Sequence, residues 1–309
     1  HKGLIVAHFY SDEQALSLVE DLVDLGPSAI EYIDKATLDA SKDNIEQQGN
    51  RVWIDGDPES VLIIDFFSDT PKRLDFLIAE CQAILQANGS YSIKLIDKSD
   101  RNKVWGVRKA GLGLLMGKVG PKKAIAVIED AAVPVSRLYS YYQEIKSLMK
   151  SYSVDAVYYG HASVGLIHIR PILDLSKNKD QKIMHSIAKK VSKIVKKYHG
   201  SLSGEHGDGR VRAPFLEEQF GRVVYQYFVD LKYTFDPGNL FNPGVILSDK
   251  SIVEDLRPVV SQQELTTAFN WKGDLSFFYA VEKCNGAGVC RKSTGGNMCP
   301  SYRATRSEQ

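Results

Sequence analysis

The sequence predicts an α+β fold, an open sheet with helices packed on one face. Short β-rich runs alternate with amphipathic helical stretches along the chain, and helices that connect neighbouring strands favour packing against one side of such a sheet. The alternation stops at the loop 116–123 and begins again after it. Two similar halves are therefore expected to share one sheet.

The first half begins with a strand and a capped helix. Apolar residues at 3–9 predict the strand, and Ser11 with Gln14 has the spacing of a capping box that begins a helix ending near Leu25. The run SVLIIDFF predicts the next strand. The elements predicted to complete this half are a strand at 60–67, a helix from Thr70 to about Asn88, a strand at 91–97 and a helix at about 99–116.

The second half repeats this order and closes on a segment rich in Pro and Gly. Its predicted elements are a strand at 124–129, a helix at 135–151, strands at 154–160 and 164–170, and helices at 179–199 and 215–233. The segment FDPGNLFNPG cannot continue the last helix. The predicted division of the chain is a first domain at 1–248, a connector at 249–279 and a cysteine-rich segment at 280–309.

The composition excludes two classes of partner. Lys and Arg number 39 and Asp and Glu number 38, a formal net charge of +1, so the chain lacks the broad basic field that nucleic-acid binding requires. No apolar run approaches the roughly 20 residues that span a bilayer, and the N-terminal sequence has no signal-peptide pattern. A cytoplasmic location is expected. Because the chain enters a strand almost directly after His1, we expect it to be a segment of a longer protein.

Two histidines flank a short turn in YYGHASVGLIHIRP. His161 ends one predicted strand and His168 lies on the next, so the turn between them brings two imidazoles together. Residues two apart on a strand share a face, and Arg170 is therefore expected to point the same way as His168. The alternative is that both histidines are hydrogen-bonded core residues and that Arg170 is a surface charge.

The segment SGEHGDGR places Glu205 and His206 between glycines. Three glycines in so short a stretch indicate tight turns and close backbone approach, as in a loop that packs against a ligand. The alternative is a solvated loop with incidental charges. With His161 and His168, the carboxylate of Glu205 completes a set of two nitrogens and one oxygen that binds Zn²⁺ or Mn²⁺ and leaves positions open for substrate.

Such a metal site predicts a chemistry for the residues around it. A bound ion polarises a hydroxyl and lowers its pKa, and His206 is the candidate general base for the proton released. Arg170 or Arg108 is the candidate to hold a substrate carboxylate through two parallel hydrogen bonds.

Three motifs in this order resemble the C-terminal domain of FAD-linked oxidases, the group that contains D-lactate, D-2-hydroxyglutarate and glycolate dehydrogenases. They are GHASVGLIHIRP, SGEHGDGRVRAPFLEEQFG and FDPGNLFNPGVIL, and the resemblance covers about residues 1–247. It implies a ferredoxin-like antiparallel sheet that caps the substrate side of a flavin. His161 and His168 match the family's two metal-binding histidines, Glu205 its third metal ligand and His206 its catalytic histidine.

The resemblance also implies contacts with substrate and cofactor. Arg108 in VWGVRKAG is similar to the family's substrate-carboxylate Arg that follows a Trp, and Lys123 is a further candidate whose alternative is a surface salt bridge. Asn242 in the third motif is assigned to cofactor binding. One departure concerns the substrate: where the family often has GDGN and then Asn, this chain has SVGL and Arg170, which suits a longer acid or a second carboxylate.

The cysteines divide into one isolated residue and a cluster. Cys81 lies in the apolar half of a predicted helix, where we expect a buried small side chain. Cys284, Cys290 and Cys299 fall within the last 26 residues, which favours metal chemistry over disulfides. Their segment resembles the start of a ferredoxin-like iron–sulfur domain with a 4Fe–4S cluster. Three thiolates are not expected to hold that cluster alone, and a zinc site is the alternative.

Together these features predict the substrate-binding part of an enzyme that oxidises a D-2-hydroxy acid of the lactate, 2-hydroxyglutarate or glycolate type to the 2-oxo acid. The resemblance implies FAD held mainly by a flavin-binding domain of the same polypeptide, with electrons leaving through the iron–sulfur domain to an acceptor such as a quinone. A quinone acceptor would place the protein peripherally at the inner membrane, and without the flavin domain this chain is expected to be inactive. The alternatives are a metal-dependent hydrolase and a non-catalytic module that binds a small acid.

Overall fold

The computed structural model of the protein describes residues 1–42, 44–256, 266–283 and 291. The chain divides into two compact units: His1–Leu115 with Pro121–Val259, and Met116–Gly120 with Val260–Gln309. The predicted domain boundary at residue 248 stays a prediction.

The described residues of the first unit form one seven-stranded sheet. Its strands are β1 (Lys2–Phe9), β2 (Ala29–Asp34), β3 (Ser60–Phe67), β4 (Ser92–Leu95), β5 (Lys123–Ala124), β6 (Ala156–His161) and β7 (His168–Leu173). They lie in the order β4-β1-β3-β2-β6-β7-β5, and every neighbouring pair is antiparallel. The order β4-β1-β3-β2 is ferredoxin-like. In the second half of the chain, the order β5-β7-β6 repeats the order β1-β3-β2 of the first half. The predicted α+β fold with an antiparallel sheet is confirmed.

Helices connect these strands and follow them. They are α1 (Asp12–Ser17), α2 (Val19–Val23), α3 (Lys35–Ala40), α4 (Ile45–Gln48), α5 (Pro71–Ala87), α6 (Arg101–Met116), α7 (Val135–Ser151), α8 (Asn178–Lys197), α9 (Leu216–Phe220), α10 (Arg222–Phe235) and α11 (Phe277–Val281). Single 3-10 turns lie at Ala162–Val164, Ala213–Phe215 and Lys272–Asp274.

Strands β1, β2 and β3 of the first half are buried on both faces. On β1, Ile5, Ala7 and Phe9 belong to an apolar cluster with α5, α7 and α8, whereas Leu4 and Val6 belong to a second cluster with α6. A sheet that is apolar on both sides must bury both. The longest helices therefore share one face, as predicted, and α6 covers the opposite face, which the sequence pattern did not indicate.

Several elements differ from their predictions. The helix predicted from Ser11 to about Leu25 divides into α1 and α2, and α3 and α4 had not been predicted. β2 had not been predicted, β5 is shorter than expected, and β7 begins later because a 3-10 turn occupies 162–164. The helix predicted at 215–233 divides at Gly221, whose φ of 82° lies in the left-handed region.

The cysteine predictions differ in outcome. Cys81 is fully buried and unpaired, as expected. The predicted iron–sulfur ligands Cys284, Cys290 and Cys299 lie outside the described residues. Among the residues that the structure describes, no helix is both long and apolar enough to cross a bilayer.

Candidate active site

The two motif histidines meet where β6 ends and β7 begins. His161 is the last residue of β6 and His168 the first of β7, and their ring centroids lie 5.5 Å apart. The turn between them ends at Gly165, whose φ is 72°. A Cβ there would lie 1.8 Å from the carbonyl oxygen of Val133, so this tight connection requires glycine. The predicted convergence of the two imidazoles is observed.

Asp130 holds the loop that carries Glu205 and His206. Its fully buried carboxylate accepts hydrogen bonds from the backbone N–H of Glu205 (3.2 Å) and of His206 (2.7 Å) and from the hydroxyl of Ser203 (2.7 Å). Arg212 pairs with its other oxygen. Burial disfavours the charged form of Asp130, but these hydrogen bonds and the charge of Arg212 outweigh it and place the pKa of Asp130 below its ordinary value.

Three imidazole side chains converge on one carboxylate oxygen of Glu205. Glu205 Oε1 lies 3.4 Å from Nε2 of each of His161, His168 and His206. The candidate ligand atoms of His161, His168 and Glu205 all lie within 4.8 Å of one another. Glu205 and His206 are 41% and 43% exposed, so the cluster is open on the side of the loop. The structure thus brings the predicted metal ligands together, and their metal-binding role stays a prediction.

The second nitrogen of each β-strand histidine has an oxygen partner. His168 Nδ1 lies 2.7 Å from the carbonyl oxygen of Glu129, and His161 Nδ1 lies 2.6 Å from Glu31 Oε1. A carbonyl or an ionised carboxylate only accepts hydrogen bonds, so Nδ1 of each ring is the donor. The Nε2 lone pair of each neutral ring then faces Glu205. This is the arrangement in which histidine binds a metal in proteins, with an oxygen outside the site fixing the ring.

Burial and charge shift the pKa values around these histidines. Burial lowers the pKa of His168 to about 4, which favours its neutral form. The hydrogen bond with Glu31 raises the pKa of His161. Burial opposes ionisation of Glu31, but its hydrogen bond with His161 and the charge of Arg108 lower its pKa below the ordinary value.

The two candidate substrate arginines have different surroundings. Arg108, on α6, donates from Nε to Glu31 Oε2 at 2.8 Å, and its guanidinium carbon lies 5.3 Å from the centre of the Tyr159 ring. Arg170 is only 5% exposed. It donates from Nε to the Tyr159 hydroxyl at 3.0 Å and pairs with Glu129. Two of its nitrogens are therefore committed within the protein, and its predicted contact with a substrate carboxylate stays a prediction.

The remaining candidates lie elsewhere on the first unit. Lys123 is the first residue of the edge strand β5 and pairs with Leu173. Asn242 follows α10 in a turn with a φ of 48° and lines an apolar cavity of about 770 Å³ together with Phe235 and Phe241. The predicted roles of Lys123 in substrate binding and of Asn242 in cofactor binding stay predictions.

Three acidic residues of the site were missed by the sequence reasoning. Glu31 lies on β2, which had not been predicted. Glu129 and Asp130 follow the apolar run IAVI directly. Two adjacent acids at the end of such a run are the signal that was available, because carboxylates next to buried apolar residues need partners.

Comparison with known proteins gives a family match. Residues 1–246 match the family model described as FAD linked oxidases, C-terminal domain. The chain is 29% identical to a D-2-hydroxyglutarate dehydrogenase of Pseudomonas putida, over 99% of this chain and 31% of that protein. It is 25% identical to a D-lactate dehydrogenase of Archaeoglobus fulgidus, over 77% of this chain and 50% of that protein. The chain thus spans a third to a half of the length of these relatives.

Solved structures share the fold at low sequence identity. A 4-ethylphenol oxidase from Gulosibacter chungangensis matches with a TM-score of 0.58 at 10% identity, over 81% of this chain and 54% of that one. A p-cresol methylhydroxylase matches with a TM-score of 0.55 at 12% identity, over 80% of this chain and 53% of that one. At such identities the likeness concerns the fold alone.

Proposed function

This chain belongs to the family of FAD-linked oxidases, as their C-terminal domain, and we propose that it is the substrate-binding part of a flavin-dependent oxidoreductase that converts a D-2-hydroxy acid into the 2-oxo acid. The similar dehydrogenases act, by their names, on D-2-hydroxyglutarate and D-lactate. The observation that carries the proposal is the convergence of three imidazole Nε2 atoms on one oxygen of Glu205, each at 3.4 Å.

The donor set of this cluster fits a divalent metal ion. His161, His168 and Glu205 would hold Zn²⁺ or Mn²⁺, because two neutral nitrogens and a carboxylate suit either ion and leave positions open for substrate. The oxygen partners of Nδ1 in both histidines support this fit. When bound, the ion polarises the substrate hydroxyl and lowers its pKa.

His206 is the residue proposed to take the hydroxyl proton. Its Nε2 lies beside Glu205 Oε1, within reach of a hydroxyl held at the metal position. As the proton moves to Nε2, C2 loses a hydrogen together with its electron pair and the carbon–oxygen double bond forms. Bound FAD supplies the acceptor for that hydrogen and its electrons.

Arg108 is proposed to orient the acid. Its Nε is directed by Glu31, and its terminal nitrogens have the geometry to hold a carboxylate with two parallel hydrogen bonds. Arg170 and Lys123 are the further candidates for a longer acid. Asn242 is the residue of this chain proposed to contact FAD, which we propose is bound mainly by a flavin-binding domain of the same polypeptide.

The cysteine-rich segment at 280–309 is the basis for the proposed path of the electrons. Cys284, Cys290 and Cys299 would contribute to a 4Fe–4S cluster that passes electrons to an acceptor such as a quinone. The proposed location is cytoplasmic, and peripheral at the inner membrane if a quinone is the acceptor.

The test uses the flavin-containing protein loaded with Mn²⁺ or Zn²⁺. Mixed without oxygen with D-2-hydroxyglutarate, D-lactate or glycolate, it is expected to lose the visible absorbance of oxidised flavin and to form the 2-oxo acid of one of them. Flavin that stays oxidised with all three acids contradicts the proposal. Hydrolytic turnover without flavin would favour a metal-dependent hydrolase instead, and stabilisation by an acid without flavin reduction would favour a non-catalytic binding module.

A further inference from the structure

Glu129 contacts three groups of the candidate site at once. Its carbonyl oxygen accepts a hydrogen bond from His168 Nδ1 at 2.7 Å. Its carboxylate Oε1 lies 3.1 Å from His206 Nδ1, and Oε2 pairs with the guanidinium of Arg170. The side chain is 15% exposed. Both carboxylate oxygens are therefore committed to partners that belong to the predicted site.

The contact with Glu129 decides which nitrogen of His206 carries the hydrogen. An ionised carboxylate accepts hydrogen bonds and cannot donate one, and each ring nitrogen lies near one: Nδ1 is 3.1 Å from Glu129 Oε1, and Nε2 is 3.4 Å from Glu205 Oε1. Only the first distance is that of a hydrogen bond, so the hydrogen of the neutral ring is assigned to Nδ1. Nε2 then presents its lone pair on the side of Glu205, where the substrate hydroxyl is proposed to bind. A general base needs this tautomer, because a nitrogen that already carries a hydrogen cannot accept a proton.

The adjacent acid, Asp130, has a different task. Its Oδ2 accepts the backbone N–H groups of Glu205 and His206. The distance from Oδ2 to His206 Nδ1 is 4.0 Å, which exceeds a hydrogen bond. Asp130 therefore fixes the backbone of the loop, and Glu129 orients the imidazole.

Buried groups on β6 and β7 hold the carboxylate of Glu129 in place. Arg170, at 5% exposure, pairs with Glu129 and donates from Nε to the hydroxyl of Tyr159. A guanidinium fixed at both ends restricts the rotation of the carboxylate it binds. Oε1 is thereby kept toward His206. This arrangement also gives Arg170 a function that does not require contact with the substrate.

We propose that Glu129 is a positioning residue for the oxidation of the hydroxy acid. It holds the ring of His206 with Nε2 toward the substrate and stabilises the imidazolium that forms when Nε2 accepts the hydroxyl proton, the task of the carboxylate in a carboxylate–histidine pair. The proposal rests on the proposed function, in which C2 gives its hydrogen and electron pair to FAD. It assigns no bond-making to Glu129 itself.

The decisive variant is Glu129→Gln in the flavin-containing, metal-loaded protein. The amide NH₂ of Gln is a donor, and it must face another donor, either the guanidinium of Arg170 or the Nδ1–H of His206. If it faces His206, the clash of two donors is relieved when the ring hydrogen moves from Nδ1 to Nε2. We expect kcat and kcat/KM to fall together by about 10²-fold, because the lost interaction matters in the transition state. Bound metal should be unchanged, since the carbonyl that contacts His168 remains.

Two controls separate positioning from general damage. Glu144→Gln removes a carboxylate that pairs with Lys197 on the surface and should leave kcat unchanged. In a His206→Ala background, Glu129→Gln should cause no further loss of kcat, because the effects of substituting residues that act as a unit are not additive. A wild-type kcat in Glu129→Gln, or a full additional loss in the double variant, would overturn the proposal.

A spectroscopic measurement keeps the proposal testable if Glu129→Gln fails to fold. Long-range ¹H–¹⁵N correlation spectra of the unmodified 309-residue chain report which ring nitrogen of neutral His206 carries the hydrogen. We expect Nδ1, and a hydrogen on Nε2 would overturn the proposal. This measurement needs no turnover, so it remains decisive even if no hydroxy acid reduces the flavin and the proposed function itself fails.

Discussion

Glu31 and His161 face each other across the paired strands β2 and β6, and Glu31 Oε1 lies 2.6 Å from His161 Nδ1. The other oxygen of the same carboxylate accepts from Arg108 Nε at 2.8 Å. One buried acid thus orients both a proposed metal ligand and the arginine proposed to hold the substrate. A change at Glu31 is therefore expected to affect metal and substrate together.

Replacing Glu31 by Gln should weaken metal binding. The amide removes the charge that orients His161, and loss of such an outer partner typically lowers metal affinity or activity by about 10–100-fold. Titration calorimetry with Zn²⁺ or Mn²⁺ on the metal-free protein measures the change. Glu59→Gln, on a partly exposed surface acid, is the matched control and should bind metal as the wild type does. Equal affinity of Glu31→Gln and wild type would contradict the assignment of His161 as a ligand.

Replacing His206 by Ala should abolish most of the catalysis and spare the metal. A general base contributes about 10²–10⁴-fold to rate, so the rate of flavin reduction by the hydroxy acid is expected to fall by that factor. Stopped-flow absorbance of the flavin measures it. His185→Ala, a change at a histidine of α8 beside Phe215, is the control for a lost imidazole. Flavin reduction at the wild-type rate in His206→Ala would remove His206 from the mechanism.

The contrast between the found and the missed residues of this site has a physical cause. His161 with His168, and Glu205 with His206, were predicted as pairs because each pair lies close in sequence and a short turn or loop fixes its geometry. The two pairs were joined by the donor set of a metal site and by the resemblance to FAD-linked oxidases. Glu31 lies 130 residues from His161, and its position depends on the pairing of β2 with β6. Local patterns do not specify such a pairing, so the partner of a ligand across a sheet stays hidden until the strand order is known.

The same distinction between local patterns and strand pairing explains which elements of the fold could be predicted from the sequence. Hydrophobic periodicity sufficed for α5, α7 and α8, which are long and amphipathic. It did not suffice for β2, whose residues Ile30 and Ile33 belong to apolar clusters on opposite faces of the sheet. A short strand buried on both sides lacks the alternation that identifies a half-buried strand.

Metal binding should stabilise the chain through Glu205. A ligand that binds the folded state alone stabilises it by about 2.7 kcal/mol at a concentration 100 times its Kd. Thermal unfolding of the 309-residue chain with and without Mn²⁺ or Zn²⁺ measures this effect. Glu205→Gln should lose the metal-dependent rise in Tm, whereas Glu218→Gln, on α9, should keep it. An equal rise in all three proteins would indicate that the ion binds elsewhere.

Asp34 should make the protein less stable as the pH rises toward neutrality. Its carboxylate is 6% exposed and accepts the backbone N–H groups of Thr37 and Tyr158 at 2.9 and 2.7 Å. Burial outweighs these hydrogen bonds and raises the pKa of Asp34 to about 6. The folded state therefore holds this proton more tightly than the unfolded chain, where the pKa is near 3.8.

The sign of the effect follows from proton linkage. Between the two pKa values the folded state binds more protons than the unfolded state, so the free energy of unfolding falls as the pH rises. A pKa shift of this size corresponds to about 3 kcal/mol in the free energy of unfolding. This stabilisation is present below about pH 4 and lost above about pH 6. Asp34→Asn has no proton to lose, and its difference from wild type in urea unfolding should change by that amount across this range. Asp75→Asn, on the exposed side of α5, should show no such change. A constant difference between Asp34→Asn and wild type at every pH would mean that Asp34 is already ionised in the folded protein, with its two N–H donors outweighing burial.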